Sequence, residues 1–281
     1  MTDKLLILAA GASTRMKASK GSAGLTSKDI ELANSRSKSL IPGPDGHRPV
    51  LDHLILRAKT AGISQIYLIV GANLNDFQEY YGPKINKNEF HGIQIHYAIQ
   101  HIPTARSKPL GTADAVYQAM TQYPELQQQH FLVCNSDNLY SAEAINTVRL
   151  SNSPAALMAY DRAALEFSDE RIARFALLQS DSQNFLSDII EKPEQDKVDQ
   201  FRGPDGKFRV SMNIFSFDGS LMFPYLRDCP FHQERGEKEI PTALLNATRD
   251  LEKACFCYPI SEHVPDLTSK EDIEQFRKFL K

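Results

Sequence analysis

Residues 4–16 read KLLILAAGASTRM. Residues 5–10 form an unbroken apolar run that ends in Ala9 and Ala10 and passes directly into the small residues Gly11, Ala12 and Ser13. A run this short cannot span a bilayer, which needs about 20 residues. It reads instead as a strand buried on both faces, as in a parallel sheet. Past the strand, small side chains let the backbone approach a ligand closely and aim its N–H groups at phosphate oxygens. Arg15 adds a charge and a planar fork of donors that suits the same oxygens. The glycine spacings of a Walker loop and of a Rossmann turn are both absent. Taken alone, the segment reads first as an ordinary strand-to-helix turn carrying a surface arginine and only second as a phosphate site.

Outward from this segment, residues 66–70, 93–99 and 131–134 are further strand-like runs. Residues 50–61, 74–80 and 112–123 have helical spacing of apolar positions. Strand and helix in alternation predict an α/β fold with a mostly parallel sheet, right-handed crossovers and ligands at the carboxyl ends of the strands. After Asp137 the pattern shifts to strand-like runs at 155–160, 174–179, 185–191 and 208–217 with few helices between, which predicts an antiparallel extension. A last helix is expected over 269–280, capped by Ser269 with Glu271 and Asp272 in its first turn. Residues 17–37 read as a mobile loop with a short helix near 28–33.

A length of 281 residues suits one large domain, here 1–140 as one half and 141–281 as the other. The 32 Lys and Arg against 35 Asp and Glu give a net charge of −3, so no global basic field draws nucleic acid or an anionic membrane. Asp3 before the apolar run and the lack of a cleavage-like site after it argue against a signal peptide. Four scattered cysteines, Cys134, Cys229, Cys255 and Cys257, form neither a disulfide framework nor a zinc motif, so a reducing cytoplasm is expected. The histidines, among them His53, His101 and His263, lack the spacing of metal ligands. Quaternary structure is not legible, and a homo-oligomer is left open.

Several residues carry candidate chemistry. Asp137 follows the run 131–134 at the end of a buried strand, where a carboxylate serves equally as a helix cap or as a divalent-cation ligand. Lys38, just before Leu40 and Ile41, can return toward the first turn or stay solvated. Glu191 and Lys192 precede Pro193, which favours extended backbone before it; they read as a site pair or as an exposed strand end.

The ordered set of LAAGASTRM (8–16), SRSKSLIPG (35–43), PLGTADAV (109–116), CNSDN (134–138), IIEKP (189–193), SMNIF (211–215), GEKEIP (236–241) and HVPDLTSKEDI (263–273) resembles the nucleotidyltransferases that activate sugar 1-phosphates, the glucose-1-phosphate thymidylyltransferase and UTP-sugar pyrophosphorylase superfamily. The resemblance covers the whole chain. It implies a Rossmann-like three-layer α/β/α fold whose mixed, mostly parallel sheet carries an antiparallel extension, with the first half holding the nucleotide and the second the sugar phosphate. It implies transfer of a nucleotidyl group from a nucleoside triphosphate, dTTP or UTP, to a sugar 1-phosphate, with pyrophosphate released and Mg2+ as cofactor. By the same resemblance Ala10, Gly11, Ser13, Gln100, Gly111 and Thr112 bind the nucleotide. Arg15, Lys38 and Lys192 are the catalytic cations, and Glu191, Lys192 and Asn213 bind the sugar phosphate, with Glu237 or Glu239 at its rim. Asp137 and Asp266 hold the metal. Ser13 and Ser136 stand where the family pattern has glycine. The stretch before Lys38 is longer than in compact members, which leaves Lys20 and Lys28 as alternative cations. Two other readings stay open: a cytidylyltransferase acting on a non-sugar phosphate, and a catalytically silent nucleotide-binding subunit.

Overall fold

The computed structural model describes residues 1–173, 175–190, 198–203 and 205–280. In chain order the elements are β1 (Lys4–Leu8), α1 (Thr14–Ala18), α2 (Ser27–Ser35), α3 (Val50–Thr60), β2 (Gln65–Val70), α4 (Asn75–Tyr81), β3 (Asn88–Phe90), β4 (Ile93–Ile99), α5 (Thr112–Gln122), β5 (His130–Asn135) and α6 (Ala142–Arg149). There follow β6 (Ala155–Asp161), α7 (Asp169–Ile172), β7 (Leu177–Ser180), β8 (Leu186–Ile190), β9 (Arg209–Asp218), α8 (Gly219–Arg227), α9 (Ile240–Asp250), β10 (Cys255–Ile260) and α10 (Asp272–Phe279).

One sheet organises them all, in the order β10-β6-β9-β5-β1-β2-β4-β3, with β7 pairing β9 and β8 pairing β7. β1 is parallel to both β2 and β5, and β2 to β4. β9 lies antiparallel between β5 and β6, so a mostly parallel sheet carries one reversed strand in its interior and the antiparallel β7 and β8 beside it. Leu5, Leu6 and Ile7 have no exposed surface, as the opening apolar run predicts. Their alternation splits them between two cores. Leu5 and Ile7 share one with Leu51 and Ile55 of α3, Ile145 of α6 and Phe276 of α10. Leu6 shares the other with Met120 of α5, Met222 of α8 and Leu244 of α9. Helices thus cover both faces, giving the three-layer α/β/α architecture.

The second half holds more helix than its sequence suggested. α6, α8 and α9 were not expected, although Ile240, Ala243, Leu244 and Ala247 bury one helical stripe in α9; the intervening strand-like runs masked these short periodic stretches. β3 was also missed. It forms a hairpin with β4, Phe90 facing Ile93, through His91 and Gly92 at φ 52° and 79°. Two left-handed residues in a two-residue loop are the type I′ signature.

Residues 17–37 differ from the expected loop. They carry α2, longer than the short helix foreseen and started by a capping box between Thr26 and Asp29. Arg277 of α10 bonds Asp29 at 2.6 Å, and Lys270 Nζ donates to the carbonyls of Lys17 and Ser19 at 3.0 and 2.6 Å. The segment is therefore tied to the last helix. α10 itself begins at Asp272 rather than Ser269. The capping is reversed: the Asp272 carboxylate accepts from the backbone N–H groups of Thr268 and Ser269 at 2.9 and 2.7 Å. Among the described residues no helix is long and apolar enough to cross a membrane.

Candidate active site

From β1 the chain moves outward to β2 and β4, then returns through α5 to β5 on the other side of β1. The loops after β1 and β5 therefore part company, which opens a crevice at the carboxyl ends of these strands. A cleft of about 370 Å³ lies there. Ala10, Gly11, Arg15, Lys38, Gln100, Gly111, Thr112 and Asp137 all line it. A second cleft of about 820 Å³ shares Arg15, Asn135 and Asp137 with the first and adds Asn213 and Asp266. Asp137 thus stands on the wall between two cavities.

The turn after β1 explains its small residues unequally. Ser13 sits at φ 54°, left-handed backbone that costs a non-glycine residue free energy. Its hydroxyl accepts from Lys38 N at 3.2 Å. Gly11 lacks such a constraint: its φ is not left-handed, and a Cβ built there meets nothing within 4 Å. Only the open cleft would feel a side chain at that position. Gly111 is the opposite case. At φ +120° its added Cβ would lie 2.3 Å from Lys238 O, so glycine is demanded by a close backbone approach. Gly111 holds the N-cap position of α5, and the Thr112 hydroxyl accepts from Ile240 N at 3.1 Å, which joins the starts of α5 and α9 under the cleft.

Lys38 lies in a short 3-10 turn, and its ammonium pairs with the Asp137 carboxylate. The bond to Ser13 brings Lys38 to the β1 turn; neither Lys20 nor Lys28 lines either cleft. Asp137 and Asp266 are carried by loops zipped to each other. Leu267 N donates to Asp137 O at 2.9 Å, and Leu139 N to Pro265 O at 3.0 Å. Burial raises the Asp266 carboxyl above the ordinary range, and the negative charge of Asp137 pushes it further, against the pull of Arg171 and Lys38. Neither aspartate caps a helix. Among the described residues no group of three or more His, Cys, Asp or Glu could hold a metal ion.

Gln100, 4 % exposed, donates from Nε2 to Gly111 O at 2.9 Å and to Asp114 Oδ2 at 3.2 Å. Both partners only accept, which fixes the amide orientation. The side chain has its carbonyl oxygen left to offer a ligand. Asn213 lies at φ 59° in the stretch of β9 where the register with β6 shifts, and such bulges re-aim side chains. Buried Tyr140 pins the stretch by donating to the carbonyls of Met212 and Asn213 at 2.7 and 3.0 Å.

Glu191 and Lys192 lie outside the described residues. Glu237 lines the first cleft, whereas Glu239 lines neither and pairs with Arg235 at 2.7 Å. The structure adds residues that sequence reasoning passed over: Lys108 in the first cleft, Arg171 and Arg235 in the second. Lys108 directly precedes the 109–116 motif, a readable signal. Arg171 has none, being one cation in a charged stretch. His263 accepts from Glu166 N through Nδ1 at 3.1 Å and packs against Phe167, a structural role.

A parallel-sheet crevice lined by a small-residue turn and basic side chains, with a carboxylate pair beside it, defines an α/β protein with a charged cleft at the carboxyl ends of its strands. A family model described as nucleotidyl transferase matches residues 4–258, and the chain belongs to that family. It is 25% identical over 247 residues to the bifunctional protein GlmU of Staphylococcus haemolyticus (strain JCSC1435), covering 87% of this chain and 45% of the relative. It is 24% identical over 261 residues to the chloroplastic/amyloplastic glucose-1-phosphate adenylyltransferase small subunit of Triticum aestivum, covering 87% and 52%. The chain spans about half the length of these curated relatives. In fold it is similar to a protein described as a glucose-1-phosphate thymidylyltransferase of Bacillus anthracis, solved with sucrose, at a TM-score of 0.67 and 18% identity over 98% of this chain and 94% of the other. A UDP-glucose pyrophosphorylase solved with UDP-glucose also gives 0.67, at 15% identity over 100% and 99%.

Proposed function

We propose that this protein transfers a nucleotidyl group from a nucleoside triphosphate to a sugar 1-phosphate and releases pyrophosphate, a step of nucleotide-sugar biosynthesis. The observation that carries this reading is the pair of adjoining clefts with Asp137 on their common wall. Two polyanions, one in each cleft, would meet there. An acceptor phosphate oxygen is ionised at neutral pH, so in-line attack on the α-phosphorus needs no protein nucleophile. The chain's task is to align the reactants and offset their repulsion, roughly 4 kcal/mol for two unit charges about 4 Å apart at an effective dielectric near 20.

In this reading the first half, 1–140, supplies most of the nucleotide cleft. Ala10, Gly11 and Ser13 place backbone against the phosphates, and Arg15 and Lys38 neutralise them. The committed amide of Gln100 presents a carbonyl oxygen, which suits the N3–H of uracil or thymine and supports UTP or dTTP. Gly111 and Thr112 form the floor beneath base and ribose. Asn213, with Glu191 and Lys192, takes the sugar phosphate in the second half.

The donor set fits a divalent cation. Magnesium takes one or two carboxylates and completes its shell with phosphate oxygens and water, and the adjacent Asp137 and Asp266 supply that number. These two residues would hold it, and it would neutralise charge on the triphosphate. The four buried, unpaired cysteines support a cytoplasmic setting.

The test is pyrophosphate release with magnesium, each nucleoside triphosphate in turn and a panel of sugar 1-phosphates. Turnover with UTP or dTTP and a sugar 1-phosphate is expected. Nucleotide binding without release would mark a silent subunit, and release only with a non-sugar phosphate acceptor would mark the cytidylyltransferase-like chemistry.

A further inference from the structure

The two carboxylates of the site are each matched by one cation, and the two cations face different cavities. Lys38 pairs with Asp137 and lines the first cleft. Arg171 pairs with Asp266 and lines the second. Its Nη2 donates to Asp266 Oδ2 at 2.8 Å and to Asp266 O at 3.1 Å, and its Nη1 to Asp272 Oδ1 at 2.5 Å. The guanidinium lies 4.4 Å from the centre of the Phe167 ring, which holds its plane. The side chain is 23% exposed.

We infer that Arg171 is a held-back ligand for the acceptor phosphate: it neutralises Asp266 in the free protein and turns to phosphate oxygens once a divalent ion and the acceptor enter. This rests on the function proposed above. Three observations carry it. A planar fork that now spans two carboxylates has the geometry to grip a phosphate bidentately. Both carboxylates keep other donors when the guanidinium leaves: Thr268 Oγ1 stays on Asp266 at 3.0 Å, and the N–H groups of Thr268 and Ser269 stay on Asp272 at 2.9 and 2.7 Å. Departure therefore does not strand a buried charge without partners, as it would if Arg171 were only a structural tie. Finally, Arg171 sits on α7, a single four-residue turn, which can shift without disturbing the sheet.

The experiment compares wild type with Arg171→Met and Arg171→Lys. Two quantities are read: KM for glucose 1-phosphate against KM for the nucleoside triphosphate, and Mn2+ affinity by electron paramagnetic resonance without substrates. For Arg171→Met the acceptor KM should rise about tenfold or more, as for a lost charged hydrogen bond, while the triphosphate KM stays within about twofold. Mn2+ should bind several-fold tighter, because the cation competing for Asp266 is gone. Arg171→Lys keeps the charge and loses the fork, so acceptor KM should rise by a smaller factor with Mn2+ affinity near wild type. An unchanged acceptor KM in both variants overturns the inference. So does weaker Mn2+ binding in Arg171→Met, which would make the residue a positioning group for Asp266. Should Arg171→Met fail to fold, the acceptor KM of Arg171→Lys decides alone. Absence of pyrophosphate release by wild type would defeat the proposed function instead, while the Mn2+ comparison still reports whether the guanidinium and the metal compete.

Discussion

Gly11→Ala separates what the fold needs from what a ligand needs. A Cβ at position 11 meets nothing within 4 Å and the backbone is not left-handed, so the folded state gains no strain. The unfolded chain loses conformational freedom, which stabilises the protein by about 0.4–1 kcal/mol, or a rise in Tm of about 1–3 °C at this size. The new methyl stands in the cleft where phosphates are proposed to lie. Overpacking of about 1–3 kcal/mol there weakens nucleotide affinity about 5- to 150-fold. Gly111→Ala is the control. Its Cβ would lie 2.3 Å from Lys238 O at φ +120°, and strain plus overlap should cost about 3 kcal/mol of stability. Thermal unfolding of both variants, with calorimetric titration of UTP and dTTP in magnesium, reads both effects. A Gly11→Ala protein that melts lower than wild type, or that binds nucleotide as well, would refute the reasoning.

Lys38→Ala and Lys192→Ala should each fold normally and lose about two orders of magnitude or more in turnover; near-normal pyrophosphorolysis by both would remove them from the proposed mechanism. Gln100→Leu should lose selectivity between UTP or dTTP and the purine triphosphates, read as the ratio of kcat/KM values; an unchanged ratio would place the base elsewhere. The bond from Arg277, outweighing burial and helped by Thr26, holds the Asp29 carboxyl at about 2 against its ordinary 3.8. A depressed carboxylate stabilises the fold above its unfolded pKa, and that share disappears as pH falls from about 4 to 2. Asp29→Asn should therefore cost about 2 kcal/mol at pH 7, with the two proteins converging in that acid window. Urea unfolding across pH 2–7 checks it, and parallel pH curves would disprove the linkage.

Legibility in this chain follows the range of the interactions. Residues 5–10, 66–70 and 131–134 declared buried strands because a strand covered on both faces must be apolar throughout, and β1, β2 and β5 lie there. α9 and the β3–β4 hairpin are also written locally, in the stripe from Ile240 to Ala247 and in the pair His91 and Gly92, but these signals are too brief to stand out from the strand-like runs around them. The capping of α10 was legible in kind and reversed in direction, because the Ser269 hydroxyl can give or accept a bond while the Asp272 carboxylate, which only accepts, takes the N–H groups of Thr268 and Ser269.

By itself the sequence determined the alternation of β and α, the small-residue turn and the residue types of the site, since these depend on side-chain size, polarity and spacing along the chain. Only the tertiary structure decided that β9 inserts antiparallel between β5 and β6, that Asp137 and Asp266 share one wall, and that Arg171 rather than a nearer cation holds Asp266. Those facts depend on distance in space between segments far apart in the chain. No periodicity encodes such distances; they are set when the two cores close on either side of the sheet.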